Sequence, residues 1–582
     1  MAEAGVESDL MDFKKTAVDV ILRQLKESFS RQEISAALEI PPLSDFGDYA
    51  FPCFIAAKKL KKSPQELAKQ LAKTNLPEGI EKIEAKGPYV NFYLDSTAVA
   101  KETISAILKN PDSFGRLSHN SGKKAMVEYS QPNPNKPLHL GHLRNDSIGM
   151  AFSKLLEATG FEVIKANLIS DRGIHICQAM IAYMKFGQGK TPKSEKIKGD
   201  RFVGDYYVLF HKNAKENPEF EKEAQEMLRK WEAGDKEIRA LWKKMRDWAL
   251  EGFKETYEKI GSKFDVFFYE SDFYHKAQPI FERGLKAGVF FKDKDGALVA
   301  KLKPHGLPDK IVLRGDGTSI YITNDLVLTE HKFEQFELDK SFWVVASEQD
   351  LYFKQLFKIF ELLGHKFSEK CEHLSYGLVN LPEGKMKSRE GKVIDADDLL
   401  QEIEDLAKIE IEERYSDLTQ KEKTERAKAI SLAAIKFFML KADAKKDFVF
   451  DAKKSISFEG DSGPYALYTF ARAKSIIRKA NEIPNLARTD FSLLSSAHEK
   501  VLAKLLRRFP GIIADCEKHR SLHILCQYLL DVCGEFNSFY HESPVIEADN
   551  ELKSSRLALV SATAELLKQG LSILNIEAIE RM

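Results

Sequence analysis

The sequence predicts an α/β protein: a parallel-sheet domain between a small N-terminal α+β domain and a C-terminal all-α bundle. Three observations predict it. A strand, a Pro/Asn-rich loop, a long helix and a second strand follow one another over residues 125–170, the unit from which parallel sheets are built. The roughly 115 residues before it mix helical and alternating patterns, and from about residue 400 onward helical spacing runs almost unbroken. At 582 residues, the chain has room for three or four domains of roughly 150 residues each.

In the first domain, 1–115, a helical segment leads to the Pro-containing loop IPPLSDFGDYAFP. Ser63, Pro64 and Glu66 then give the N-cap, N1 and N3 signature of a helix start. IEAKGPYVNFYLD alternates around Gly87 and Pro88 as a hairpin does. In the second domain, 116–400, AMVEYS is a strand, QPNPNKPL a loop, and HLGHLRNDSIGMAFSKLLEATG a helix stopped by Gly160. FEVIKANLIS completes the unit, whose ligand belongs at the strand C-termini. Ile238, Leu241, Trp242, Met245, Trp248 and Ala249 recur at helical spacing in a charged insertion over about 185–260. The sheet is expected to resume with DKIVLR, SIYITN and SFWVVAS, and the loop LPEGKMKSREGKVIDADDLL closes the domain. Residues 401–582 form the bundle.

Composition excludes several classes. With 43% hydrophobic and 30% charged residues, the chain is an ordinary globular one. No apolar stretch approaches bilayer-spanning length, and MAEAGVESDLMDFKKTAVDV has no apolar core of a secretory signal, so the expected location is the cytoplasm. Lys+Arg and Asp+Glu both total 88, so a nucleic-acid surface requires local segregation of charge. The balance fits monomer and dimer alike, and a monomer is expected. Cys53, Cys177, Cys371, Cys516, Cys526 and Cys533 include no C-x-x-C pair, which argues against structural zinc and a disulfide framework.

The sharpest local feature is His139-Leu140-Gly141-His142, where a strand has ended and a helix begins. Two imidazoles at a helix N-terminus, beside a glycine that admits close backbone approach, suit a polyphosphate. The competing readings are a zinc pair, which lacks a third ligand, and two capping histidines, an account that leaves Gly141 without a role. The second feature is the Gly-flanked basic loop 384–391, with Lys385, Met386, Lys387, Ser388 and Arg389. Its side chains can fold over a phosphate and neutralise charge developing in a transition state, although a solvated surface loop has the same composition.

Together, in this order and about 245 residues apart, the two elements resemble the HIGH and KMSKS signatures of class I aminoacyl-tRNA synthetases. The run from Glu128 to Asn145, EYSQPNPNKPLHLGHLRN, is similar to the S-x-P-N-x-x-K-x-x-H-x-G-H-L-R of arginyl-tRNA synthetases. GDYAFPCFIAAKKL and GPYVNFYL resemble that family's N-terminal tRNA-binding domain, and ISFEGDSGPYALYTFARAKSIIRKA its anticodon-binding domain, so the likeness covers nearly the whole chain. It implies a Rossmann-type catalytic domain, ATP with Mg²⁺, L-arginine and tRNA(Arg) as substrates, and reaction through an arginyl-adenylate. No side-chain nucleophile is needed, because phosphoryl and acyl transfer here rest on alignment and charge stabilisation.

A guanidinium is a planar fork of five donors, always charged, so its pocket needs carboxylates and a flat partner. By resemblance Tyr321, Asp325 and Glu270 hold it, while Glu128, Ser130, Asn133 and Gln349 surround the substrate's ammonium and carboxylate. Two positions depart from the family's patterns. Ser388 stands in place of the second lysine of the usual signature, and Lys136, just before the HIGH element, is expected to take over its contact with ATP phosphates. Tyr352 replaces a common histidine, which bears on a polar contact near the ribose or adenine. For tRNA, Arg472 and Arg478 lie in one basic helical run of the bundle, with Lys474 and Lys479, and Lys504, Arg507 and Arg508 lie in another. Lys58 and Lys59, near Tyr49, form a cluster able to grip the tRNA elbow, the aromatic stacking on a base. The alternatives are a class I enzyme for another amino acid, a related nucleotidylyltransferase, and a tRNA-binding paralogue without charging activity.

Overall fold

A computed structural model describes residues 12–41, 44–318, 320–380, 394–414 and 418–582. Its centre is a five-stranded, all-parallel sheet of order β11-β10-β4-β5-β6, formed by β4 (Lys124–Glu128), β5 (Glu162–Ile169), β6 (Val266–Tyr269), β10 (Lys340–Ala346) and β11 (Cys371–Tyr376). The chain leaves β4 toward β5 and β6, then returns to the other side of β4 for β10 and β11. The strand order therefore reverses at β4, and a crevice opens at the C-terminal ends of β4 and β10. Successive residues alternate between two cores: Ala125, Val127, Phe342 and Val344 face the helix Leu140–Ala158 and the bundle, whereas Met126 and Trp343 join Phe268, Leu326 and Phe353. The central strand β4 and the middle of β10, buried on both faces, read as continuous apolar runs, whereas β5, β6 and β11 are partly exposed.

The helix Leu140–Ala158 runs against β4 with a glycine at the crossing. A Cβ on Gly149 would lie 2.2 Å from the Tyr129 ring, so only glycine lets helix and strand end approach this closely. The helix ends as expected, with Gly160 at φ +99° after the C-cap.

The N-terminal unit has its own core and an antiparallel sheet of β1 (Tyr49–Pro52), β3 (Tyr89–Leu94) and β2 (Ile80–Lys86). β2 and β3 form the expected hairpin. The loop predicted over 40–52 instead ends in β1, because Tyr49–Pro52 finds the free edge of β3, and a propensity argument cannot see a partner about forty residues away. Ser63 caps the helix Pro64–Leu71 by backbone geometry alone, without a side-chain hydrogen bond.

The insertion lies between β5 and β6 and begins earlier than expected, with helices Ile174–Phe186, Gly199–Glu216, Glu219–Glu232 and Lys236–Ile260. Two strand expectations fail. DKIVLR supplies β9 (Lys310–Leu313), which joins β7 (Phe290–Lys292) and β8 (Leu298–Ala300) in a separate antiparallel sheet. SIYITN opens the helix Tyr321–Phe336: β-branched residues there are the first turn, with the Thr323 hydroxyl donating to Val312 O at 2.5 Å. A short pair, β12 (Val379–Asn380) with β13 (Phe448–Val449), ties the sheet domain to the bundle. The bundle's helices, among them Gln420–Leu440, Gly463–Ala480, His523–Glu542 and Asn550–Ile573, bury Phe437, Phe470 and Phe536 in one core with β4 and β10. No described helix is long and apolar enough to cross a membrane.

Candidate active site

At the end of β4 the backbone turns through two consecutive left-handed residues, Ser130 at φ 73° and Gln131 at φ 50°. Such positions persist only when surroundings hold them. Here the Ser130 N–H donates to Asn145 Oδ1 at 2.6 Å and the Gln131 N–H to Asn167 Oδ1 at 3.2 Å. Asn145 is anchored in turn to Val344 O at 2.8 Å and the Tyr376 hydroxyl at 2.9 Å. The Ser130 hydroxyl lies 2.7 Å from that of Tyr257, within the buried support beneath the crevice. Asn133 is half-buried, its carbonyl accepting from the Asn135 N–H at 2.8 Å.

The loop then delivers His139 to the N-terminus of the helix Leu140–Ala158. His139 Nδ1 accepts from the Gly141 N–H at 3.1 Å, and His142 Nδ1 accepts from the His139 N–H at 3.1 Å. Capping and Gly141 are thus one device, contrary to the expectation that capping leaves the glycine idle: a Cβ there would meet the His139 ring at 3.0 Å. Burial, helped by the Lys136 charge, pushes His139 down to about 3, and burial holds His142 well below its ordinary value. Both rings are neutral, and with each Nδ1 accepting, each Nε2 carries the proton. The helix N-terminus therefore presents two extra N–H donors beside its own.

Lys136, its ammonium depressed by burial, lines a cleft of about 310 Å³ with His139, Arg201, Asp205, Asp395 and Asp398. The expected loop residues Lys385, Met386, Lys387, Ser388 and Arg389 lie outside the described residues. The chain resumes beside His139: the Leu140 N–H donates to Ile394 O at 3.3 Å and the Ala396 N–H to Leu138 O at 2.9 Å. Asp397 is fixed by Lys198 and Lys259, each at 2.6 Å.

Three carboxylates gather at the same edge of the sheet. Glu128 ends β4, is 2% exposed, accepts from Gln131 Nε2 at 3.0 Å and forms an ion pair with buried Lys332. Glu270, immediately after β6, accepts from the Ser170 hydroxyl at 3.1 Å; burial first, then the Asp325 charge, pushes its carboxyl up to about 8. Asp325, on the helix Tyr321–Phe336, is raised by burial to about 6, the Glu128 charge adding and Lys332 opposing. The Tyr352 hydroxyl donates to Asp325 and so joins this carboxylate group. Tyr321 opens the helix, 54% exposed, near enough to Glu270 for that charge to raise its hydroxyl further after burial. Gln349 is exposed just past β10. Asn145, Asn167, Tyr257 and Lys332 were missed by sequence reasoning; only Asn167, a polar residue in the apolar second half of β5, carried a local signal, while the other three lie among polar or charged neighbours.

The remaining candidates lie on other elements, in the N-terminal unit and in the bundle. Arg472 stacks on Tyr468 and Tyr540, 4.7 and 5.2 Å from their ring centres, and bonds to Asn537. Arg478 donates to Glu580 O at 3.1 Å, and both arginines line a cleft of about 1170 Å³ in the bundle. Lys58 is exposed, while Lys59 is engaged within its own unit, over Phe29 and on Ser28 O. Tyr49 is half-buried in β1, and burial raises its hydroxyl. The six cysteines are free, and all but Cys371 are buried.

Comparison with known proteins gives matches across the chain. The model for the class I tRNA synthetase (R) catalytic domain matches residues 103–452, that for the DALR anticodon binding domain 466–582, and that for the arginyl tRNA synthetase N-terminal domain 15–94. An arginine–tRNA ligase of Treponema denticola is 42% identical over 557 residues, 94% of each chain. That of Treponema pallidum is 39% identical over 588 residues, covering 99% of this chain and 100% of its own. The solved arginyl-tRNA synthetase of Thermus thermophilus matches with a TM-score of 0.81 at 28% identity, over 98% of this chain and 100% of that one.

Proposed function

We infer the chemistry from one premise: the chain belongs to the arginyl-tRNA synthetase family. It charges tRNA with L-arginine, using ATP. ATP enters as its magnesium complex, the metal held chiefly by substrate phosphates. Neutral His139 and His142, through Nε2–H, and Lys136 hold the phosphates over the helix N-terminus, and Lys385, Met386, Lys387, Ser388 and Arg389 complete their enclosure. Glu270, Asp325 and Tyr321 take the guanidinium; Glu128 takes the ammonium, with Ser130, Asn133 and Gln349 at the carboxylate side.

So aligned, an arginine carboxylate oxygen forms a bond to the α-phosphorus as the bond to the bridging β-phosphate oxygen breaks. Pyrophosphate leaves with the electron pair. The terminal ribose hydroxyl of tRNA then attacks the carbonyl carbon; the bond from that carbon to the phosphate oxygen breaks, AMP leaves with the electron pair, and the hydroxyl proton passes to the leaving phosphate. The protein contributes alignment and charge stabilisation. The observation that carries this assignment is the juxtaposition, at one end of one sheet, of two neutral imidazole donors and three buried carboxylates. Its test is ATP–pyrophosphate exchange with arginine and tRNA present. His142→Ala is expected to lower exchange by roughly 10²–10³-fold while tRNA still binds; unchanged exchange would remove the histidine from the mechanism.

The outlying residues take the tRNA. Tyr49, Lys58 and Lys59 meet its elbow, and Arg472 and Arg478 the anticodon arm, with domains at 1–115, 116–400 and 401–582. The enzyme works as a cytoplasmic monomer. Arg472→Ala is expected to weaken tRNA binding about tenfold at low salt and to reduce its salt dependence, measured by filter binding; unaltered binding would remove the residue from the interface.

A further inference from the structure

Lys332 lies two turns beyond Asp325 on the helix Tyr321–Phe336 and is 1% exposed. Its ammonium pairs with Glu128 between the rings of Phe268 and Trp343, 5.4 and 5.1 Å from their centres. The ionisable groups facing it are Glu128 from β4, Asp325 from its own helix and Cys371 from β11. With Lys332 on one Glu128 oxygen and Gln131 on the other, the carboxylate is fixed in direction. Two charges withdrawn from water are a poor source of stability, and an apolar pair of the same volume would serve the fold as well. The pair therefore points to a task that needs the charge of Glu128.

We propose that Lys332 is a positioning residue for the substrate's α-ammonium: through the buried ion pair it holds Glu128 in the orientation that receives that group. The inference rests on the pocket assignment given above, in which Glu128 takes the ammonium. Lys332 does not touch arginine; it acts through Glu128, on the helix that also carries the guanidinium-binding Asp325. Recognition of the two cationic ends of arginine is thereby built on one helix.

The test uses the full-length enzyme and 5-guanidinopentanoate, which is arginine without its α-amino group. Its inhibition constant divided by the KM for arginine reads the share of recognition that comes from the ammonium. A charged buried contact makes that ratio about tenfold to hundredfold in the unaltered enzyme. Glu128→Gln and Lys332→Met are each expected to collapse it toward unity, with KM for ATP unmoved, and Lys332→Arg to restore most of it. Asp325→Asn should raise both constants together and leave the ratio intact. A Lys332→Met ratio equal to the unaltered enzyme's, beside a collapsed Glu128→Gln, would overturn the role of Lys332. An intact ratio in Glu128→Gln would overturn the pocket assignment itself. Lys332→Met leaves a buried carboxylate unpaired, so the double variant Glu128→Gln with Lys332→Met, neutral at both positions, is the second measurement. Arginine KM equal to that of Glu128→Gln alone supports the proposal, and a further rise of about tenfold, as from independent sites, contradicts it.

Discussion

The two ends of the crevice are buried to a similar degree and respond to it in opposite ways. At the phosphate end, burial drives His139 down to about 3 and His142 well below its ordinary value. At the amino-acid end, burial drives Glu270 up to about 8 and Asp325 to about 6. Both shifts are the cost of charge in a poorly hydrated site. For an imidazole the neutral form is already the useful one, a fixed N–H donor, so burial removes the switch that an ordinary histidine carries between about pH 5 and 8. For a carboxyl facing a guanidinium the charged form is the useful one, so burial defers ionisation until the ligand arrives. One physical effect makes the imidazoles at one end indifferent to pH and the carboxyls at the other dependent on it.

Removing a donor should break the first end most severely: His142→Ala is expected to lower arginine-dependent ATP–pyrophosphate exchange by roughly 10²–10³-fold, the usual scale for a lost transition-state donor. At the other end, Asp325→Asn should raise the KM for arginine about tenfold to hundredfold and leave the KM for ATP unmoved, since a charged contact is exchanged for a neutral one. Equal changes in both constants would dissolve the division of the crevice.

The pH dependence sharpens the contrast. Arginine selects ionised Glu270, whose carboxyl in the empty pocket holds its proton up to about 8. Below that value binding must expel the proton, so arginine KM falls as pH rises from about 6 to 8, by up to about tenfold per unit, and then levels. The KM for ATP should stay flat across the window so far as the histidines govern it. The smallest effect is steric. Gly141→Ala places a Cβ 3.0 Å from the His139 ring, and a displacement of a few tenths of an ångström is expected to raise ATP KM about threefold; an unchanged value would show that the ring yields freely.

The two ends also differed in how far the sequence revealed them. The phosphate end is local: His139, Gly141 and His142 fall within four residues, and their relation to a strand end and helix start was readable from periodicity. What escaped was hydrogen-bond direction, because the acceptor role of each Nδ1 depends on cap geometry. The amino-acid end is assembled from Glu128, Glu270 and Asp325, which no periodicity brings together. Resemblance supplied those residues, but Lys332 and the contact of Tyr352 with Asp325 enter only once β4, the helix Tyr321–Phe336 and the helix Asp350–Leu362 are packed. The same limit explains SIYITN: its β-branched residues favour a strand, yet Thr323 anchors a helix start on Val312.

Calorimetric titration of arginine into the enzyme at about pH 7, repeated in buffers of different ionisation enthalpy, counts the protons that binding expels. With Glu270 titrating at about 8 in the empty pocket, release should approach one proton per arginine and vanish in Glu270→Gln. Binding with no proton released by the unaltered enzyme would contradict the claim that burial holds this carboxyl neutral until its ligand arrives.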